Sequence, residues 1–197
     1  MEEALDHAES IVAEQGAGAV TVSEIARRMG MRAPSLYKYF PSLHAIYDAL
    51  FARGNVRLTE YVEDAMWDCE PGLDCLLEGL RAFTRWATRE VGLAPLLFLR
   101  PIPGFEPSAN SYAPAQALWQ GARDELRTAA HKRQLAQAAD SDEAMRILTI
   151  AVAGVCSQQL ANQPGAGFED GLFTSLTDEV LDMFVNHYSP PGRKARR

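Results

Sequence analysis

The chain has little from which strands are made. Across its 197 residues no sustained polar–apolar alternation occurs and β-branched runs are few, which predicts an all-α fold. Catalytic constellations are missing too. His7, His44, His131 and His187 stand apart, with no carboxylate or cysteine at ligand spacing, so neither a metal site nor a general base is read from them. Cys69, Cys75 and Cys156 lack the spacing and histidine partners of a zinc site. Cys69 and Cys75 read as a redox pair or, more simply without a CxxC, as free thiols of a reduced cytosol. Asp140, Asp142 and Glu143 cluster where a helix begins and there complement its dipole. No serine elbow, phosphate loop or cofactor motif is present, so we expect neither an enzyme nor a bound cofactor. The most apolar stretch, residues 91–99, contains Pro95 and is too short to cross a bilayer. No charged-then-apolar leader opens the chain. The expectation is a cytoplasmic protein with no membrane partner.

What is present is enough apolar content, 47%, to build a core, and a net charge of −7. An acidic chain does not coat nucleic acid along its whole surface, so any such binding must be local. One window stands out. From Ile25 to Tyr47 there is no Asp or Glu, while Arg27, Arg28, Arg32 and Lys38 are basic. Within it, Thr21 suits an N-cap with Glu24 three residues on, and Val22, Ile25, Ala26 and Met29 form one apolar stripe. Gly30 suits the left-handed end of that helix, and Pro34 the first turn of the next, roughly residues 33–39. Leu36 and Phe40 give the second helix an inward face, leaving Ser35, Tyr37, Lys38 and Tyr39 on other faces. Two helices this short need a third to lean on, and together they match a helix-turn-helix. On charge alone a solvated helical hairpin explains the window as well as DNA binding does. The capped turn, the proline and the aromatic pair favour DNA.

The runs T-V-S-E-I-A-R-R-M-G and L-Y-K-Y-F-P-S resemble the DNA-binding domain of the TetR family of bacterial transcriptional regulators over about the first fifty residues. The resemblance implies a recognition helix entering the major groove and phosphates near Tyr37 and Lys38. The candidate DNA-contacting set is Thr21, Ser23, Arg27, Arg28, Arg32, Ala33, Pro34, Ser35, Tyr37, Lys38, Tyr39 and His44. The chain departs from the family pattern at Leu43, where Lys is frequent, and at Glu2 and Glu3, where a basic residue is frequent. Either a basic arm lies upstream or the grip on DNA uses fewer charges.

Beyond the head, periodicity predicts helices over residues 3–14, 43–67, 73–91, 93–99, 115–135, about 141–162 and 171–187, about nine in all with the helix-turn-helix pair. The expected architecture is an N-terminal three-helix head at 1–48 and a C-terminal antiparallel bundle at 49–188. A disordered basic tail follows at 189–197. The helix over 43–67 joins head to bundle. Residues 100–114 carry four prolines and read as a long loop. The last two helices have small residues and a broad apolar surface; either they are central to one core or they form an interface. The resemblance implies the latter, a homodimer through Ile150, Gly154, Ser157, Ala161, Leu176, Val180 and Phe184. Phe83, Trp86, Leu97, Phe98, Phe105 and Trp119 read as either plain core or an apolar ligand site. The resemblance implies a small-molecule effector. The function it implies is an operator-binding regulator, a repressor in the expected form, that a ligand releases. The alternative from another class is a helical small-molecule or partner-binding protein with a weak head.

Overall fold

Caps and glycines set the helix boundaries in the computed structural model, which describes residues 1–90, 92–99 and 101–191. Among these residues there are nine α-helices and no strand, in agreement with the predicted all-α fold. They are α1 (Glu2–Gln15), α2 (Val22–Arg28), α3 (Ala33–Leu36), α4 (Leu43–Met66), α5 (Leu73–Arg89), α6 (Ala94–Phe98), α7 (Ala109–His131), α8 (Asp142–Asn162) and α9 (Thr177–His187). They gather into two compact units. The first holds Met1–Arg57 and Glu90–Ala115; the second holds Leu58–Arg89 and the chain from Gln116 onward. Helices α4 and α7 each contribute residues to both. Most of the tail expected at 189–197, residues 192–197, lies outside the described residues.

In the first unit α1 buries Ala4, Leu5, Ala8, Ile11 and Val12, which recur at helical spacing. Tyr47 on α4 donates its buried hydroxyl to the Ala17 carbonyl at 2.7 Å. Arg53 reaches back to α1, pairing with Glu2 at 2.6 Å, Asp6 at 2.7 Å and Glu9 at 3.2 Å. The proline-rich segment also belongs to this unit. Phe105 lies against His44, Tyr47 and Phe51, with ring centroids 5.9, 5.9 and 6.5 Å away. Tyr112 stacks on Phe51 at 5.8 Å.

The loop is shorter than the sequence suggests. A helix begins at Ala109, not 115, and Pro114 sits inside it. The physical reason is Asp48. Its carboxylate accepts from the Ser108 amide at 2.7 Å, the Ser108 hydroxyl at 2.8 Å and the Ser111 hydroxyl at 2.6 Å. Ser108 in turn accepts from the Ser111 amide at 3.2 Å, so the first turn is capped before the proline is reached.

In the second unit α8 packs against α5 and α9. Ser141 caps α8, accepting from the Ala144 amide at 3.2 Å. Gln159 is buried, and its carbonyl accepts from the Phe173 and Thr174 amides at 3.0 and 3.3 Å. Those amides are thereby taken by a side chain, and regular α9 starts at Thr177 in place of the expected 171. Cys69, Cys75 and Cys156 are free thiols, and burial pushes Cys75 and Cys156 up to about 12.

Burial alone would raise the Asp48 carboxyl, but the hydrogen bonds from Ser111 and Ser108 outweigh it and hold it below its ordinary value. A depressed folded-state value means stability that is present above the unfolded value and lost as pH falls through the folded one. Asp48→Ala should therefore destabilise the first unit by about 1–2 kcal/mol at neutral pH. In urea titrations the gap from wild type should shrink as pH falls through and below the ordinary carboxylate range.

Candidate nucleic-acid interface and ligand cavity

The head is built from its caps inward. Thr21 accepts from the Glu24 amide at 3.1 Å and starts α2. Gly30 takes φ +65°, which a side chain resists, and lets the Met31 amide return to the Ala26 carbonyl at 2.9 Å. Arg32 is extended and Pro34 falls in the first turn of α3. Regular helix ends at Leu36, earlier than the expected 39. The Tyr39 and Phe40 amides still reach the Leu36 carbonyl at 3.0 Å each. Pro41 stops the chain from continuing as helix, since it disfavours helical backbone at Phe40.

Val22, Ile25, Ala26, Leu36 and Phe40 are buried. Thr21, Ser23, Arg27, Arg32, Pro34, Tyr37, Lys38, Tyr39 and His44 are exposed; Arg28, Ala33 and Ser35 are half-buried. The arginines differ in kind. Arg28 is held by Glu14 at 2.7 Å and Glu24 at 3.0 Å, bridging α1 and α2. Arg27 forks onto Glu24 at 2.8 and 2.7 Å while most of its side chain stays in solvent. Hydrogen bonds from Arg27 and then Arg28 bring the Glu24 carboxyl down to about 2. Arg32 and Lys38 have no ion pair among the described residues. With Tyr37 and Tyr39 they form an exposed basic and aromatic rim around α3.

The second unit contains an open cavity of about 110 Å³. Helix α4 supplies Val62, Glu63 and Met66, and α5 supplies Leu76, Gly79, Leu80 and Phe83. Helix α7 closes it with Ala117, Leu118, Trp119, Gly121 and Ala122. Phe83 and Trp119 touch, with ring centroids 5.6 Å apart. Of the other residues read as ligand candidates, Trp86 is buried in the second unit and is not part of this lining. Leu97, Phe98 and Phe105 belong to the first unit. The glycine and alanine part of the lining is not found by searching for aromatic residues. Met66 packs directly over Gly79, where a Cβ would collide with the Met66 sulfur.

On the outer side of α8, Ile150 is 72% exposed, and Gly154 and Ala161 are exposed with Ser157 half-buried. On the α9 side, Leu172, Leu176 and Met183 are exposed and Val180 half-buried. Phe184 is buried within the unit against Tyr188, at 4.8 Å.

Residues 4–50 match the model for bacterial regulatory proteins of the tetR family. The HTH-type transcriptional repressor BdcR of Escherichia coli K12 is 29% identical over 119 residues, which span 57% of this chain and 57% of BdcR. Among solved structures, the TetR family transcriptional regulator PfmR of Thermus thermophilus superposes with TM-score 0.69 at 17% identity. That likeness covers 92% of this chain and 93% of PfmR. The transcriptional regulator FadR of Bacillus subtilis, in complex with stearoyl-CoA, gives 0.66 at 16% identity, covering 93% and 97%. At such identities the structural likeness speaks to the fold alone. The head over residues 4–50 is thus similar to bacterial regulatory proteins of the tetR family, and the chain as a whole shares the all-helical fold of solved regulators of that family.

Proposed function

We propose that the protein is a cytoplasmic, homodimeric regulator that binds operator DNA through its head and leaves it when a small apolar molecule enters the second unit. It acts as a repressor in this reading. The observation that carries it is the exposed rim of Arg32, Tyr37, Lys38 and Tyr39 around a short helix whose inner side is fully buried. A carboxylate-free cationic rim on a protein of net charge −7 is suited to phosphates and little else. Lys38 and Tyr37 hold phosphates, and Ala33, Pro34 and Ser35 meet base edges. Arg32 and the outer part of Arg27 add phosphate contacts, flanked by Thr21, Ser23 and His44. Arg28, paired on both sides, positions α2 against α1. The repressor name of BdcR and the acyl-CoA bound to FadR support the regulatory and effector parts.

A dimer places two α3 helices in successive major grooves, so the operator is a near-palindrome. The exposed apolar surface of α8 and α9 suits that association. Ligand acts by favouring a form of the dimer whose heads misfit the half-sites, and only differential affinity shifts that balance. Helix α4, continuous through Leu43–Met66, carries residues of both units and is the element assigned to the coupling.

Two experiments test the parts separately. Lys38→Ala should weaken binding nearly uniformly across sequences and flatten the log–log salt slope by about 0.9 per lost contact. Arg28→Ala should leave that slope unchanged and lower the melting temperature. An unchanged slope in Lys38→Ala would remove the phosphate assignment.

For the dimer, Ile150→Glu or Leu176→Glu buries an unpaired charge at an interface and should give folded monomers in sedimentation velocity. Dimers of wild-type mass in both variants would show that α8 and α9 do not form the interface.

A further inference from the structure

The cavity in the second unit has one ionisable side chain in its wall, Glu63, and no basic one. Everything else that lines it is apolar, aromatic or glycine. Several basic side chains of the second unit are engaged elsewhere. Arg81 pairs with Asp178 at 2.6 Å, Arg123 with Asp142, and Lys132 with Glu70 at 2.9 Å. Arg85 lies over the Phe168 ring at 4.9 Å.

Glu63 does not stand alone on α4. Glu60, Glu63 and Asp64 are exposed acids on α4, the latter two three and four residues on from Glu60, and exposed Trp67 follows just past the helix end. Trp67 is 85% exposed, which is unusual for the largest apolar side chain. The wall of the cavity therefore offers the Glu63 carboxylate together with the touching rings of Phe83 and Trp119. Aromatic faces carry negative charge density and attract cations, most strongly when water is excluded. An anion entering here meets the Glu63 carboxylate and no basic side chain in the wall.

We infer that the effector is a small organic cation with an aromatic or branched apolar body, its positive group held at Glu63 and its body between Phe83 and Trp119. This rests on the effector-cavity reading above and specifies its ligand class. The size agrees, since about 110 Å³ takes a single ring and little more. It also sets the chain apart from FadR, whose acyl-CoA ligand is long and polyanionic.

The test uses probes of one shape and different charge: benzyltrimethylammonium, its neutral carbon counterpart neopentylbenzene, and 2,2-dimethyl-3-phenylpropanoate. Each is titrated by calorimetry into the wild-type chain, Glu63→Gln and Gly121→Phe. Glu63 is exposed, and a Cβ at Gly121 meets open space, so both variants keep the fold. The cation should bind about tenfold more tightly than the carboxylate. Glu63→Gln should remove most of that ratio, and Gly121→Phe should abolish binding of the cation and of the neutral probe. A carboxylate that binds as tightly as the cation overturns the charge assignment, and a preference that survives Glu63→Gln overturns the role of Glu63. Both results leave the cavity standing as a site. Failure of all three probes to bind removes the cavity reading along with the cation.

Discussion

The burial of Leu36 and Phe40 is the constraint on which the head depends. Helix α3 spans only Ala33–Leu36, far below the length at which a helix holds itself together in water. Its orientation comes from those two side chains, 1% and 4% exposed, and from the turn at Gly30 that brings the chain back over α2. The rim that follows is a consequence. With Leu36 and Phe40 inward, Tyr37, Lys38 and Tyr39 have nowhere to go but outward.

A second consequence concerns charge. The head keeps few cations free because α1 is acidic, and its carboxylates take up Arg28, Arg53 and Arg57. These pairs tie α1 to α2 and α4, so the same residues that reduce the positive field also hold the three-helix frame. Surface pairs of this kind contribute little singly. Arg53, with three partners, and Arg28, with two, each join several of these pairs into a network. The local basic window noted in the sequence is thus narrower in space than in the chain, reduced to Arg32, Lys38 and part of Arg27.

Much of this is legible in the residues. Thr21, Gly30 and Pro34 mark the helix-turn-helix because each acts through its own backbone neighbours. The stripes of α1 and α5 are legible for the same reason: period 3.6 is a local property. What escapes is decided across the chain. Asp48 caps α7 from sixty residues away, and Gln159 takes the amides of Phe173 and Thr174, so both helix starts differ from those the local signals suggest. The aromatic residues are harder still. Phe83 and Trp119 line the cavity, while Phe105 lies against α4 in the other unit, yet nothing local separates an aromatic that fills a core from one that borders a void. Glu63 gives no sequence signal, because on its own helix it is only one exposed acid among several.

The account turns on whether the head reads DNA, and DNase footprinting of the chain on its own upstream region tests that most directly. It predicts one protected, near-palindromic site whose half-sites are a helical turn or a multiple apart, with protection fading steeply as salt rises. Protection without symmetry, or none at low salt, would contradict it.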